Sequence, residues 1–263
     1  MYTRFTLAAV IICLVSTLAV SQYTILPKPI GEESLVYETE RVFHIRAHSN
    51  GFSLGYSVGE IQTWYKTKYF YFDLGSLKNS KEYSQNFRFF SSTLGAESSR
   101  SFIYGKINRL YALRAGIGNK RFFSEKARRK SIIVGMNYEY GFTLGALKPY
   151  YLKLKREDID RGGLASNSTE KYSEENADVF LDETRIFGGA EFRYGLDEIK
   201  LKPGFHGKFG ANFSWGNQDN LIKALEVGLM ADVFLSKVPL MVTEQNKQYF
   251  LNVYLTLQFG KRS

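Results

Sequence analysis

From Tyr249 to Phe259 the odd positions read Tyr249, Leu251, Val253, Leu255, Leu257 and Phe259, with Phe250, Asn252, Tyr254, Thr256 and Gln258 between them. A strand sends alternate side chains to opposite faces, so this pattern predicts a strand with one continuous apolar face. Its other face is polar or aromatic, and its length is about that of a strand crossing a bilayer at a tilt. The same period recurs upstream. In 41–49, Phe43, Ile45 and Ala47 oppose His44, Arg46 and His48, and Asn50-Gly51 signals a tight hairpin. Phe52, Leu54, Tyr56 and Val58 follow, opposite Ser53, Gly55, Ser57 and Gly59. Ile61 to Leu74 predicts a third strand, aromatic on both faces.

Phe102 to Gly118 sets Ile107, Tyr111, Leu113, Ala115 and Ile117 against Lys106, Asn108, Arg114 and Gly116, with Arg109 breaking the apolar side near an edge. Ile132 to Leu144 alternates with Gly135, Asn137, Glu139 and Gly141, and Tyr150, Leu152 and Leu154 keep its parity beyond Lys148-Pro149. Ile186, Ala190, Phe192 and Tyr194 suggest a short strand. Leu201, Phe205, Phe209, Ala211, Phe213 and Trp215 then oppose Lys202, His206, Lys208, Asn212 and Ser214. Leu225, Val227, Leu229, Ala231, Val233 and Leu235 oppose Glu226, Gly228 and Asp232.

These segments predict an all-β fold, an antiparallel transmembrane β-barrel. Ten alternating segments can be counted. Such barrels keep their long loops on the outer side and short turns on the periplasmic side. The long connections 78–101, 156–183 and 236–248 share one side if two mergers hold. Ile132 to Leu154 is then one strand bent at Pro149, and Ile186 to Trp215 one strand whose parity slips near Asp197, as at a bulge. That reading gives eight strands, and ten stays open. A soluble β-sandwich also alternates, but it leaves its polar faces in water. Glycines on the polar faces (Gly55, Gly135, Gly141, Gly228) fit a narrow lumen better.

Composition adds the compartment. Met1 to Ser21 carries Arg4, an apolar run from Phe5 to Val20 and small residues at Ala19 and Ser21, which predicts a signal peptide cleaved before Gln22. Cys13, the single cysteine, lies inside that run, so the exported chain has no disulfide or thiolate metal site. Gln22 to Glu40, with Pro27 and Pro29, reads as an extended lead-in, and 41–263 as the barrel. Aromatic residues make up 16% of the chain, as suits half-apolar strands with interfacial girdles. The net charge of +9 suggests contact with anionic head groups or a basic lumen, and export argues against a nucleic-acid partner.

At this point the chain resembles the small outer-membrane β-barrels of Gram-negative bacteria. In that class the last strand carries an alternating apolar signal ending in an aromatic, read by the assembly machinery. Leu251, Val253, Leu255, Leu257 and Phe259 match it, although Gly260-Lys261-Arg262-Ser263 leaves the aromatic short of the end. Asn50-Gly51-Phe52, Lys148-Pro149-Tyr150-Tyr151 and Phe259-Gly260-Lys261-Arg262 also look like exported barrels of the Bacteroidota type. The resemblance implies an outer-membrane location, contact with outer-membrane lipid and lipopolysaccharide, and delivery by the barrel-assembly machinery. It implies no activity.

Charges on the predicted inner faces are Lys106, Arg114, Glu139, Glu191, Arg193, Lys202, Lys208, Glu226 and Asp232. An eight-stranded barrel is filled by side chains, so mixed signs predict neutralisation across it. A narrow path for ions or polar solutes is the alternative, favoured by ten strands. His48-Ser49-Asn50 invites comparison with outer-membrane lipid A deacylases, which look like eight-stranded barrels using His, Ser and an acid. There the His and Ser are two residues apart on one face. Here they are adjacent and point oppositely, which a Ser–His nucleophile pair cannot easily use. The acidic stretch from Glu157 to Asp178 lacks the spacing of a calcium loop. Lys120 to Lys130 offers charges to lipid phosphates or forms a solvated turn. His44, His48 and His206 are too dispersed for a metal site. The expectation is a non-enzymatic barrel without cofactor, structural, surface-binding or assembly-related, with the ion path as its alternative.

Overall fold

The computed structural model describes residues 37–63, 65–85, 100–123, 132–158, 164–215, 220–242 and 246–263. The signal peptide, the lead-in up to 36, most of the 78–101 loop, Lys126 to Lys130 and the 216–219 turn lie outside the described residues. In chain order the strands are β1 (Thr39–His48), β2 (Gly51–Thr63), β3 (Lys66–Leu77), β4 (Ser84–Gln85), β5 (Phe102–Ile103), β6 (Asn108–Phe122) and β7 (Ile133–Pro149). They continue as β8 (Tyr151–Asp158), β9 (Leu164–Lys171), β10 (Ile186–Gly189), β11 (Lys200–Trp215), β12 (Leu221–Phe234) and β13 (Tyr249–Arg262).

Eight of these close into an antiparallel barrel in the order β1-β13-β12-β11-β7-β6-β3-β2. Eight strands, not ten, make the ring, and closure excludes the sandwich. β1 alternates exposed and buried at every residue, as does β13 through Gln258. The exposed set is the apolar one: Phe43, Ile45, Leu251, Val253, Leu255, Leu257 and Phe259 all face outward. The chain passes from β2 to β3, β6 to β7 and β11 to β12 at the end that carries both barrel termini. The Ser49–Asn50 turn and the three long connections lie at the other end.

Several elements differ from the sequence expectation. The turn between β1 and β2 is Ser49–Asn50, and Gly51 opens β2 with φ 146° against the Ser76 carbonyl, where a side chain would collide. Ile61 to Thr63 belongs to β2, so the next strand starts at Lys66. Phe102 to Gly118 is not one strand. Phe102–Ile103 pairs with Ser84–Gln85, and β6 begins at Asn108 and runs past Gly118 to Phe122. The 156–183 connection is not a bare loop, because β8, β9 and β10 form a separate three-stranded sheet. Neither merger holds, although the count of eight does: Ile132 to Leu154 is split into β7 in the barrel and β8 in that outer sheet, and Ile186 to Trp215 into β10 in the outer sheet and β11 in the barrel. The turn between them uses Gly195 at φ 80°, a left-handed backbone that glycine tolerates.

Inside the barrel, three tyrosines lie on glycines. Tyr69 pairs across the ladder with Gly118, Tyr71 with Gly116, and Tyr254 with Gly228. A missing side chain on one strand leaves room for the ring of the next. A methyl added at Gly118 would run into the Tyr69 ring. Gly118→Ala is therefore expected to cost about 1–3 kcal/mol in urea unfolding from detergent micelles. Gly207→Ala, whose added methyl meets no atom, should stay within about 0.5 kcal/mol of wild type in the same assay.

Candidate functional site

The inward faces of six strands bring charged side chains into one connected layer. Asp73 on β3 accepts from Arg46 at 2.9 Å and from Arg114 at 2.7 Å. Arg114 turns its other edge to Asp232, donating through Nε at 2.8 Å and Nη2 at 2.9 Å. This two-pronged geometry is the strong form of an arginine–carboxylate pair. His206 Nδ1 lies 3.0 Å from the same carboxylate. Lys208 stands between Glu139 at 2.7 Å and Glu226 at 2.9 Å. Tyr69 donates to Glu139, while Tyr254, Asn137 and Gln258 donate to Glu226. Arg46, 4.0 Å from Glu139, joins the two halves. At the terminal end Lys120 reaches Glu40 at 2.9 Å.

Arg46, Arg114, Lys120 and Lys208 thus face Glu40, Asp73, Glu139, Glu226 and Asp232, and Arg114, Glu226 and Asp232 are 0% exposed. Removing such ions from water costs several kcal/mol each, so the layer stands only because each has an opposite partner. Toward the loop end the filling becomes apolar. Leu77, Leu110, Leu147, Phe234 and Phe250 pack with Val238, Leu240 and Met241 of the β12–β13 connection. That connection is held in the mouth by Ile107 N–H to the Leu240 carbonyl at 2.8 Å and Val242 N–H to the Gly105 carbonyl at 2.8 Å. The mouth is stoppered by packed side chains.

The outer sheet has its own core of Phe102, Tyr150, Leu152, Leu154, Phe180 and Ile186. Across its β8–β9 hairpin, Arg156 grips Glu170 with Nε at 2.6 Å and Nη2 at 2.8 Å. The Arg156 bond, with help from Ser168 and Asn176, holds the Glu170 carboxyl down to about 2.

The structure brings Arg114, Glu139, Lys208, Glu226 and Asp232 together in the buried layer. The other four inward candidates are elsewhere. Lys106 is buried but sits in the turn before β6, paired with Glu82. Lys202 lies at the loop-end rim and donates to Ser236 at 2.8 Å. Glu191 and Arg193 form a partly exposed pair at 3.0 Å in the turn after β10, because the chain has left the strand by then. Arg46, Asp73, Glu40 and Lys120 belong to the layer and were missed. Arg46 shares the polar face of β1, which was a usable signal. Lys120 stands in β6, not in a basic connection. Leu251, Val253, Leu255, Leu257 and Phe259 form an unbroken outward row on β13. Ser49 Oγ donates to Asn252 at 3.0 Å, whereas neither nitrogen of the buried His48 ring has a hydrogen-bond partner among the described residues. Among the described residues no cluster of His, Cys, Asp or Glu is arranged to hold a metal ion.

Two outcomes follow from these pairings. Asp232→Ala strands the Arg114 guanidinium edge and His206 in a dry interior, and an equilibrium urea titration should show a loss of about 3–5 kcal/mol. In the outer hairpin, a carboxyl ¹³C titration of Glu170 should give a midpoint near 2 instead of the ordinary 4.5, and Arg156→Gln should raise it. Because the folded value is depressed, the pair's contribution is complete above 4.5 and vanishes as pH falls through about 2.

No family model matches the sequence, and no curated protein does. Solved structures with a similar chain path include the N-terminal β-barrel domain of Pseudomonas aeruginosa OprF, at 8% identity and TM-score 0.34, covering 85% of this chain and 97% of that one. Neisserial surface protein A (NspA) is 11% identical with TM-score 0.38, over 86% of this chain and 97% of that chain. Ail of Yersinia pestis, solved with the heparin analogue sucrose octasulfate, is 8% identical with TM-score 0.32, over 86% and 97%.

Proposed function

We propose that this chain spans the outer membrane as a closed barrel and serves there as a non-catalytic structural, surface-binding or assembly component. The carrying observation is the inversion of polarity between its faces. Phe70, Phe142, Leu201, Leu251 and Val253 stand more than half exposed on the outside, while Arg114, Glu226 and Asp232 are sealed inside. Water outside would leave a wide apolar belt unpaid for, whereas acyl chains suit it. Each of the eight barrel strands has at least ten residues, enough to cross a bilayer at a tilt.

With the termini periplasmic, the β8–β10 sheet and the stoppered mouth face the exterior. Binding there would use the sheet and the rim, including a cavity of about 760 Å³ lined by Ser49, Asn50, Lys78, Lys247 and Phe250. The outward row from Leu251 to Phe259 presents the assembly machinery with its alternating apolar signal. The four residues after it are no loose tail in this reading, since Gly260, Lys261 and Arg262 pair with Val42, Arg41 and Glu40 in the ladder.

The test is reconstitution of the mature chain in phospholipid vesicles and planar bilayers. Protein that floats with the vesicles and gives no steady current is the expected result. A steady current from inserted protein would transfer the assignment to a small channel, and protein that stays soluble and folded without lipid would end the membrane reading.

A further inference from the structure

Arg109 and Lys148 stand directly opposite each other across the β6–β7 ladder, at the loop-end rim of the barrel. Both lie at outward parity. Like charges in direct cross-strand register repel, and no described carboxylate forms an ion pair with either. The nearby acids are engaged elsewhere, Glu82 with Lys106 and Glu191 with Arg193. Yet Lys148 is only 4% exposed. Its ammonium sits over the Phe192 ring at 4.6 Å, and the Arg109 guanidinium over Tyr150 at 5.1 Å. Phe192 is in turn held edge-on by Tyr111 at 6.4 Å. Two cations are therefore fixed in place by aromatic faces, which offset part of their repulsion but supply no counter-charge.

Below this pair on the same outer wall, Leu113, Phe142 and Leu201 are exposed apolar side chains. We propose that Arg109 and Lys148 form a binding site for the phosphate of a phosphorylated lipid, whose acyl chains lie along Leu113, Phe142 and Leu201. The half-buried Arg109 guanidinium fork takes two phosphate oxygens, and the Lys148 ammonium beside the Phe192 ring adds its positive charge from behind. The site rests on the membrane reading above and names the lipid chemistry that its outer rim selects. A free phosphate would satisfy the cations alone. A lipid phosphate also uses the apolar wall beneath them, which is why the lipid is the ligand inferred.

The experiment is native mass spectrometry of the full mature chain, delipidated in detergent and titrated with phosphatidic acid, with phosphatidylcholine and with inorganic phosphate. Wild type should retain one phosphatidic acid in preference to phosphatidylcholine and hold inorganic phosphate far more weakly. Arg109→Gln with Lys148→Gln should lower that retention at least about tenfold, as loss of charge-assisted hydrogen bonds predicts. Lys223→Gln, on β12 near the terminal end, should leave it unchanged. The double variant relieves like-charge repulsion, so in phosphatidylcholine vesicles it should be no less stable than wild type. Only the extra stability conferred by phosphatidic acid should disappear. Equal retention by wild type and double variant, no preference over phosphatidylcholine, or equal binding of inorganic phosphate would each overturn the site. Vesicle flotation separates the two failures. A chain that inserts without phosphate preference loses only this site, while one that does not insert loses the membrane reading as well.

Discussion

The ladder between β1 and β13, from Glu40 opposite Arg262 to His48 opposite Tyr254, turns a sheet into a ring. An open sheet of the same strands would present two unpaired edges, each a row of unsatisfied backbone donors and acceptors. Inside the bilayer proposed for this chain those edges could not be left to water, so closure would be a condition of insertion and not a refinement of it. The end of the seam is reinforced. Thr39 N–H donates to the Ser263 carbonyl at 2.8 Å, and Arg262 comes within 3.9 Å of Glu40.

Closure also decides what the interior can contain. Arg114 on β6 and Asp232 on β12 are separated by β7 and β11 along the wall, so their pairing crosses the lumen. Arg46 on β1 reaches past β2 to Asp73 on β3. The Arg114–Asp232 link exists only once the ring is shut, and it carries charge that no half-formed sheet could shelter. The glycine-backed tyrosines serve the same layer. Tyr69 and Tyr254 deliver hydroxyls to Glu139 and Glu226, and Gly118 and Gly210 leave the space those side chains occupy. Charge pairing and ring packing are thus one arrangement, set by the same cross-strand register.

Strands with a clean polar face were legible in the sequence: β1, β7, β11, β12 and β13 show their facing directly, because burial follows the period of two. β3 did not, since both its faces are aromatic. Its inner positions are Tyr69, Tyr71 and Asp73, and its outer ones Phe70 and Phe72. The hydroxyl is the discriminator, and hydrophobicity patterns count tyrosine and phenylalanine alike. Lys68 shares the outer parity with those phenylalanines because it lies near the terminal end of the strand, opposite Glu60. β9 was invisible for another reason. Leu164 to Lys171 is almost wholly polar, and as an edge of the outer sheet it has no apolar face to advertise. Glu191 and Arg193 mimicked a strand by alternating with Phe192 and Tyr194. Gly195 just after them, at φ 80°, was the better signal, marking a chain that turns.

The junction at Pro149 shows one face of a ribbon given two uses. In β7 the even positions look outward, with Phe142 70% exposed, while in β8 Leu152 and Leu154 keep that parity and are 0% exposed in the outer core. Parity survives, but the surroundings change. Proline has no N–H to continue a ladder, and it stands opposite Asn108, where β6 begins. Tyr150, one residue on, donates its N–H to the Ile107 carbonyl at 2.7 Å and turns its ring into the outer core. The outer sheet therefore follows directly on a barrel strand, and Ala190 N–H to the Tyr151 carbonyl at 3.0 Å extends its own β8–β10 pairing. A binding surface mounted on such a strand is ordered before any ligand arrives. It avoids the loss of freedom that a loop-borne surface would suffer on binding, so its affinity depends on the contacts it makes.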